Sequence, residues 1–169
     1  MTKIGRLLVL LFVLFACVAC DQGTKSLAQN HLSRTEPILL LDGVVRLQLT
    51  ENSGAFLSLG AGLPETVQYW VFTVLVGALL IGVAVYLLRE SHRIRPLTLV
   101  AIALLLGGGI GNLIDRLVNN GRVIDFMNVG IGALRTGVFN VADMAIMAGV
   151  VLMLLTAFRP DPVSRSAPG

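Results

Sequence analysis

Asp125 and Asp143 are the residues of this 169-residue chain best suited to chemistry. Both fall within GRVIDFMNVGIGALRTGVFNVADMAIMAGVVLMLL, residues 121–155, a stretch oily enough for a bilayer, where a lone carboxylate is costly. The last apolar run offers Asp143 no cation, and Arg122 and Arg135 fall in a loop. If the two carboxyl groups converge, repulsion and poor solvation leave one protonated and one ionised. An ionised partner can then take a proton from water while the neutral partner donates to a carbonyl oxygen, and the roles exchange as an amine leaves. That chemistry is peptide hydrolysis with no covalent intermediate, metal or cofactor.

Other polar residues cluster by depth. Asp21 and Lys25 are one helical turn apart, the spacing of an i,i+4 pair that closes a helix end. Asn112, Asp115 and Arg116 read as a helix terminus with an ion pair that orients its neighbours, and Asn140 precedes Asp143 by three residues. Gly107 and Gly111 form a GxxxG pattern suited to close helix packing, and GGGIGN lacks the third glycine of a dinucleotide fingerprint. Cys17 and Cys20 have CxxC spacing without a βαβ setting and read as two small buried hydrophobes. His31 and His92 are isolated surface histidines with no second metal ligand nearby.

The elements that must position these groups are membrane helices. Hydrophobic residues make up 55% of the chain, charged residues 14%, and mean hydropathy is +0.82. Soluble proteins carry roughly 25% charged residues. The net charge of +3 is scattered, with no basic cluster for nucleic acid. Hydropathy divides one membrane domain, 1–169, into spans of about 4–22, 66–88, 96–114 and 136–158, with Pro96 opening the third. Outer loops cover 23–65 and 115–135, a cytoplasmic loop covers 89–95, and a polar, flexible tail covers 160–169. Lys3 and Arg6, then Arg89, Arg93 and Arg95, then Arg159 and Arg165 put both termini in the cytoplasm by the positive-inside rule. The three polar sets then gather at the outer face. Asp143, seven residues past Thr136, is expected about 10 Å down a helix, and Asp125 folds back over the bundle mouth. In the first outer loop, Lys25 to Leu32 suits a short helix, and PILLLDGVVRLQLT suits a hairpin turning at Asp42-Gly43.

DQGTK (Asp21 to Lys25), ENSGAF (Glu51 to Phe56), GGGIGNLIDR (Gly107 to Arg116), VIDF (Val123 to Phe126) and FNVAD (Phe139 to Asp143) occur in the order found in lipoprotein signal peptidase, also called signal peptidase II. The resemblance spans Asp21 to Asp143 and implies an all-α membrane fold of four transmembrane helices with a small extracytoplasmic β-cradle and a short amphipathic helix. It implies an aspartyl endopeptidase of the bacterial inner membrane, acting as a monomer, with Asp125 and Asp143 catalytic. Its substrates are diacylglyceryl-modified prolipoproteins, cut just before the lipid-bearing cysteine; membrane lipids are its other partners. By the same likeness Asn52, Gly54, Asn112, Arg116 and Asn140 shape the site and hold substrate, while Asp21, Lys25 and Asp115 support the fold around it. The chain departs from the family pattern at Phe56, near Gly137 and at Met144, leaving the carboxylates untouched.

Two other classes fit parts of the sequence. The basic start, apolar run and LFAC or CVAC imitate an exported lipoprotein, against which three further spans and poor lipobox matches at Phe15 and Cys17 argue. Intramembrane carboxylates also mark proton-coupled transporters, but here the inner halves of the spans are bare.

Overall fold

Thr2 Oγ1 accepts the Gly5 N–H at 3.1 Å and starts α1, Lys3–His31, a helix of 29 residues. The computed structural model describes residues 2–55 and 59–158; Phe56 and the tail over 160–169 lie outside the described residues. At 1.5 Å per residue α1 is about 44 Å long, well beyond a hydrocarbon core of about 30 Å. The span expected to end near residue 22 and the short helix expected over 25–32 are thus one element. Asp21, Lys25 and Ala28 are buried, so the polar residues that suggested an exit into water find partners inside the protein instead.

α2, Glu65–Glu90, is a continuous apolar helix whose N-terminal part includes a π-helical stretch, Tyr69–Leu75. α3, Pro96–Val118, has Pro96 in its first turn, where a missing N–H costs nothing. Its glycines let neighbours come close. A Cβ on Gly107 would lie 2.6 Å from Cys17 Cβ, and one on Gly108 would lie 2.4 Å from the Ala142 carbonyl oxygen. The GxxxG pattern therefore seats α3 against α1. Cys17 is half-buried there, whereas Cys20 is exposed on α1, so only one of the two cysteines packs inside. His31 and His92 are exposed.

α4, Val141–Ala157, starts five residues later than hydropathy suggested. Phe139 is held in a β-bridge to Met127, and Asn140 caps the helix by accepting the Asp143 N–H, so the chain stays extended through residues 136–140. Asp143 consequently lies in the first turn of α4 rather than two turns down. Among the described residues, α1, α2 and α3 are long and apolar enough to cross a membrane, and α4 is a shorter apolar helix of 17 residues.

A four-stranded antiparallel sheet covers the end of the bundle where α1 and α3 finish, in the order β1 (Ile38–Leu40), β2 (Val45–Asn52), β3 (Val123–Ile131), β4 (Leu134–Arg135). The expected hairpin joins β1 to β2, with Asp42 (φ 52°) and Gly43 (φ 83°) in its turn. β3 lies in what read as loop. It pairs with β2 across a bulge between Leu47 and Thr50, which sets Thr50 opposite Asp125 and Asn52 opposite Val123.

Two apolar clusters anchor the layers. Leu10, Leu87, Leu99, Ala103 and Leu106 pack α1, α2 and α3 at the end away from the sheet. Ala28, Leu49, Ile124 and Phe126 pack the sheet onto the C-terminal part of α1. Arg6 ties the start of α1 to the α2–α3 turn by donating to the Ser91 carbonyl at 2.9 Å and to that of Ile94.

Candidate active site

Asp125 sits on β3 and Asp143 in the first turn of α4, and the residue that joins them is Asn140. Its side-chain nitrogen donates to Asp125 Oδ1 at 2.7 Å, while its backbone N–H donates to Asp143 Oδ2 at 3.2 Å. Its side-chain oxygen accepts the Asp143 N–H at 2.9 Å. Asn140 is thus a helix cap whose spare donors are shared between the two carboxylates. All three residues are buried, with exposures of 0% for Asn140, 1% for Asp125 and 6% for Asp143, so bulk water does not hydrate the pair.

Each remaining carboxylate oxygen has its own amide. Asn52 Nδ2 donates to Asp125 Oδ2 at 2.9 Å, and Asn112 Nδ2 donates to Asp143 Oδ1 at 3.0 Å. Burial pushes the Asp125 carboxyl up to about 6; the Asn52 amide opposes this rise and the charge on Asp143 reinforces it. The charge on Asp143 thus acts on Asp125 across the site.

Asn52 also organises the loop beyond β2. Its oxygen accepts the Gly54 N–H at 2.9 Å, and its nitrogen reaches the Ala55 carbonyl at 3.1 Å. The Gly54 carbonyl in turn accepts from Arg116 at 2.8 Å, and the Arg116 guanidinium lies 5.8 Å from the centre of the Phe72 ring. Arg116 Nε is buried and, among the described residues, has no hydrogen-bond partner. Arg116 does not pair with Asp115, as its place beside it in sequence suggested.

Asp115 instead accepts from Lys25 at 2.9 Å, from the Ile124 N–H at 2.9 Å and from Gln22 at 3.0 Å. Lys25 also pairs with Asp21 at 2.7 Å, and Asp21 accepts the Ala142 N–H at 2.9 Å. The i,i+4 pair foreseen at the helix end exists, but as part of a buried cross-link between α1, α3, β3 and α4. The ten residues singled out in the sequence therefore form one hydrogen-bonded network, running from Arg116 through Gly54, Asn52, Asp125, Asn140, Asp143, Asn112 and Lys25 to Asp21 and Asp115.

Two members of the region were not foreseen. Gln22 donates to Asp21, to the Gly111 carbonyl and to Asp115 at 3.0–3.2 Å, and its sequence signal is its place within the DQGTK motif. Gln68, on α2, donates to the Ala61 and Leu63 carbonyls at 2.8 Å and pins the loop before that helix; nothing in its local sequence marks it. Among the described residues no group of three or more His, Cys, Asp or Glu side chains is arranged to hold a metal ion.

A polar cavity of about 730 Å³ opens beside this network, lined by Glu51, Ser53, Gln68, Tyr69, Asn119 and Arg122. Glu51 accepts from Arg34 and from Arg122 at 3.1 Å, and these hydrogen bonds hold its carboxyl below the usual range.

Comparison with known proteins gives this arrangement a family. Residues 13–159 match the family described as signal peptidase (SPase) II. The chain is 36% identical over 149 residues to the lipoprotein signal peptidase of Halalkalibacterium halodurans, covering 88% of this chain and 91% of that protein. It is 41% identical over 149 residues to the lipoprotein signal peptidase of Hydrogenovibrio crunogenus, covering 86% and 82%. Its fold resembles that of a bacterial membrane enzyme solved by the in meso method, with a TM-score of 0.74 at 22% identity over 99% of this chain and 94% of that one. Taken with the apolar helices, these matches make the chain a transmembrane peptidase, and it belongs to the signal peptidase II family.

Proposed function

We propose that the protein is an aspartyl endopeptidase of the bacterial inner membrane that removes the signal peptide from diacylglyceryl-modified prolipoproteins, cutting just before the lipid-bearing cysteine. The observation that carries this reading is the placement of Asp125 and Asp143 on a single asparagine, buried and, among the described residues, without a direct cation. Two carboxyl groups sharing such a site favour holding one proton between them. The ionised member removes a proton from water, and the resulting oxygen attacks the scissile carbonyl carbon. The protonated member donates to the carbonyl oxygen. As the tetrahedral intermediate collapses, the C–N bond breaks and the departing cysteine amine takes up a proton from the pair.

The surroundings suit that substrate. Four crossings with both termini in the cytoplasm put the sheet and both aspartates at the outer face, where an exported chain has already emerged. Arg116 Nε is a buried donor without a partner among the described residues, suited to a substrate carbonyl next to the scissile bond. The polar cavity beside Asn52 gives the start of the released chain a route into water.

Asp125→Asn and Asp143→Asn, each purified and supplied with a lipidated prolipoprotein, test the proposal. Either change is expected to abolish cleavage while the protein still inserts and unfolds cooperatively. Substantial turnover by either variant would overturn the dyad.

A further inference from the structure

We infer that Lys25 is a positioning residue for the reaction: its ammonium fixes which way the Asn112 amide faces and thereby delivers an N–H donor to Asp143. The inference rests on the proposed roles of Asp125 and Asp143 and goes beyond structural support of the fold.

Lys25 Nζ carries three hydrogens and no lone pair. It meets three oxygens, Asp21 Oδ2 at 2.7 Å, Asp115 Oδ2 at 2.9 Å and Asn112 Oδ1 at 3.0 Å. Its donors are therefore fully used, and the atom of Asn112 facing it must be the oxygen. The Asn112 nitrogen is then on the opposite side, donating to Asp143 Oδ1 at 3.0 Å. Flipped, the amide would set its N–H groups against the ammonium and its oxygen against a carboxylate, which is repulsive at both ends.

Asn140 cannot replace Lys25 in this role. Its side-chain nitrogen has two hydrogens but three acceptors, Asp125 Oδ1 at 2.7 Å, Asn112 Oδ1 at 3.0 Å and the Ile124 carbonyl at 3.3 Å. Without Lys25, Asn112 Oδ1 competes with Asp125 for the same hydrogens. By satisfying that oxygen from the other side, Lys25 leaves Asn140 free to hold Asp125. One ammonium on α1, which touches neither carboxylate of the pair directly, thus governs a donor to each. Because a misplacement of about 1 Å costs roughly a hundredfold in rate, the effect falls on turnover.

The test compares Lys25→Met with Lys25→Gln, neutral side chains of similar length that abolish the ion pairs to Asp21 and Asp115 equally. Glutamine alone retains an N–H for Asn112 Oδ1. Cleavage of a lipidated prolipoprotein is followed as kcat and KM, alongside thermal unfolding, with Asp143→Asn as the inactive reference. The expected result is similar unfolding midpoints, a kcat at least tenfold higher for Lys25→Gln than for Lys25→Met, and little change in KM. In the Asn112→Ala background, where no amide remains to be oriented, Lys25→Met is expected to cost no further kcat. Equal kcat values for the two variants, or the same loss with and without the Asn112 amide, would overturn the inference. Should Lys25→Met fail to accumulate, Lys25→Gln decides: kcat within tenfold of the parent supports the inference, and a loss beyond a hundredfold at an unchanged midpoint overturns it. An active Asp143→Asn would instead defeat the underlying dyad, so the two failures are distinct.

Discussion

Asp21 Oδ1 accepts the backbone N–H of Ala142 at 2.9 Å, joining the C-terminal part of α1 to the first turn of α4. The first N–H groups of a helix have no partner within it, and here a carboxylate from another helix supplies one. The contact depends on Gly111, where a Cβ would lie 2.6 Å from Asp21 Oδ2. Gly111→Ala is expected to cost about 1–3 kcal/mol through overpacking and to lower kcat by displacing the start of α4. Gly23→Ala, also within a helix but with nothing within 4 Å of its Cβ, is the matched control and should leave kcat unchanged and stability equal or up to about 1 kcal/mol higher. Thermal unfolding in detergent and a cleavage assay measure the pair.

Asn140 combines a cap with two donors, and its variants separate these functions. Asn140→Asp keeps an oxygen for the Asp143 N–H but turns a carboxylate toward Asp125 in place of an amide. Asn140→Ala loses the cap as well, worth about 1 kcal/mol. Both should lose at least about a hundredfold in kcat, while only the alanine variant shows the drop in unfolding midpoint attributable to the cap. Comparable activity in Asn140→Asp and the parent would show that the donor to Asp125 is dispensable.

The raised carboxyl of Asp125 predicts two pH effects. In the unfolded chain it titrates near its ordinary value of 3.8, and in the folded protein at about 6. The folded state therefore binds the proton more tightly, so the associated stability is present below pH 4 and is lost as pH rises through 6. By the usual conversion the loss is up to about 3 kcal/mol. Thermal midpoints recorded from pH 4 to pH 7.5 should fall for the parent more steeply than for Asp125→Asn, and parallel curves would contradict the shift.

Under the proposed mechanism the same group sets the alkaline limb. Once both aspartates are ionised no proton remains for the carbonyl oxygen, so kcat/KM should decline at high pH, with an apparent pKa at or above 6 that belongs to the pair. A profile that rises steadily to pH 10 would be incompatible with one shared proton.

Glu51 shows the opposite sign. Arg34 and Arg122 hold its carboxyl down, so its contribution to stability is present at neutral pH and disappears as pH falls through the carboxylate range. Both arginines are at least half exposed, and Glu51→Gln should cost no more than about 1 kcal/mol. The difference from the parent should shrink at pH 3 and in high salt.

Much of this arrangement was legible in the sequence, because apolar runs locate helices directly and a carboxylate beside one stands out. Pro96 marked the start of α3, and Asp42-Gly43 marked the hairpin. What escaped was everything decided by distant partners. Asp21 and Lys25 looked like the end of a span, yet α1 runs on to His31 because Asp115 and Asn112, about 90 residues away, neutralise and bind the lysine. β3 escaped because Val123, Ile124, Asp125 and Phe126 are all buried, so the strand lacks the alternation of polar and apolar residues that identifies a half-exposed one. The start of α4 was misjudged by five residues because Thr136 to Phe139 is apolar enough to continue a helix, and only its pairing with β3 keeps it extended.

The unbroken course of α1 also bears on self-digestion. Its sequence mimics the leader that a lipoprotein carries, but the peptide bonds before Cys17 and Cys20 are locked in mid-helix, and a protease must straighten a bond before it can attack. Shedding that leader would remove Arg6 and Leu10, which pack the start of α1, and leave Asp21 and Lys25 on a short stub without that anchor, so an enzyme that trimmed itself would loosen its own machinery.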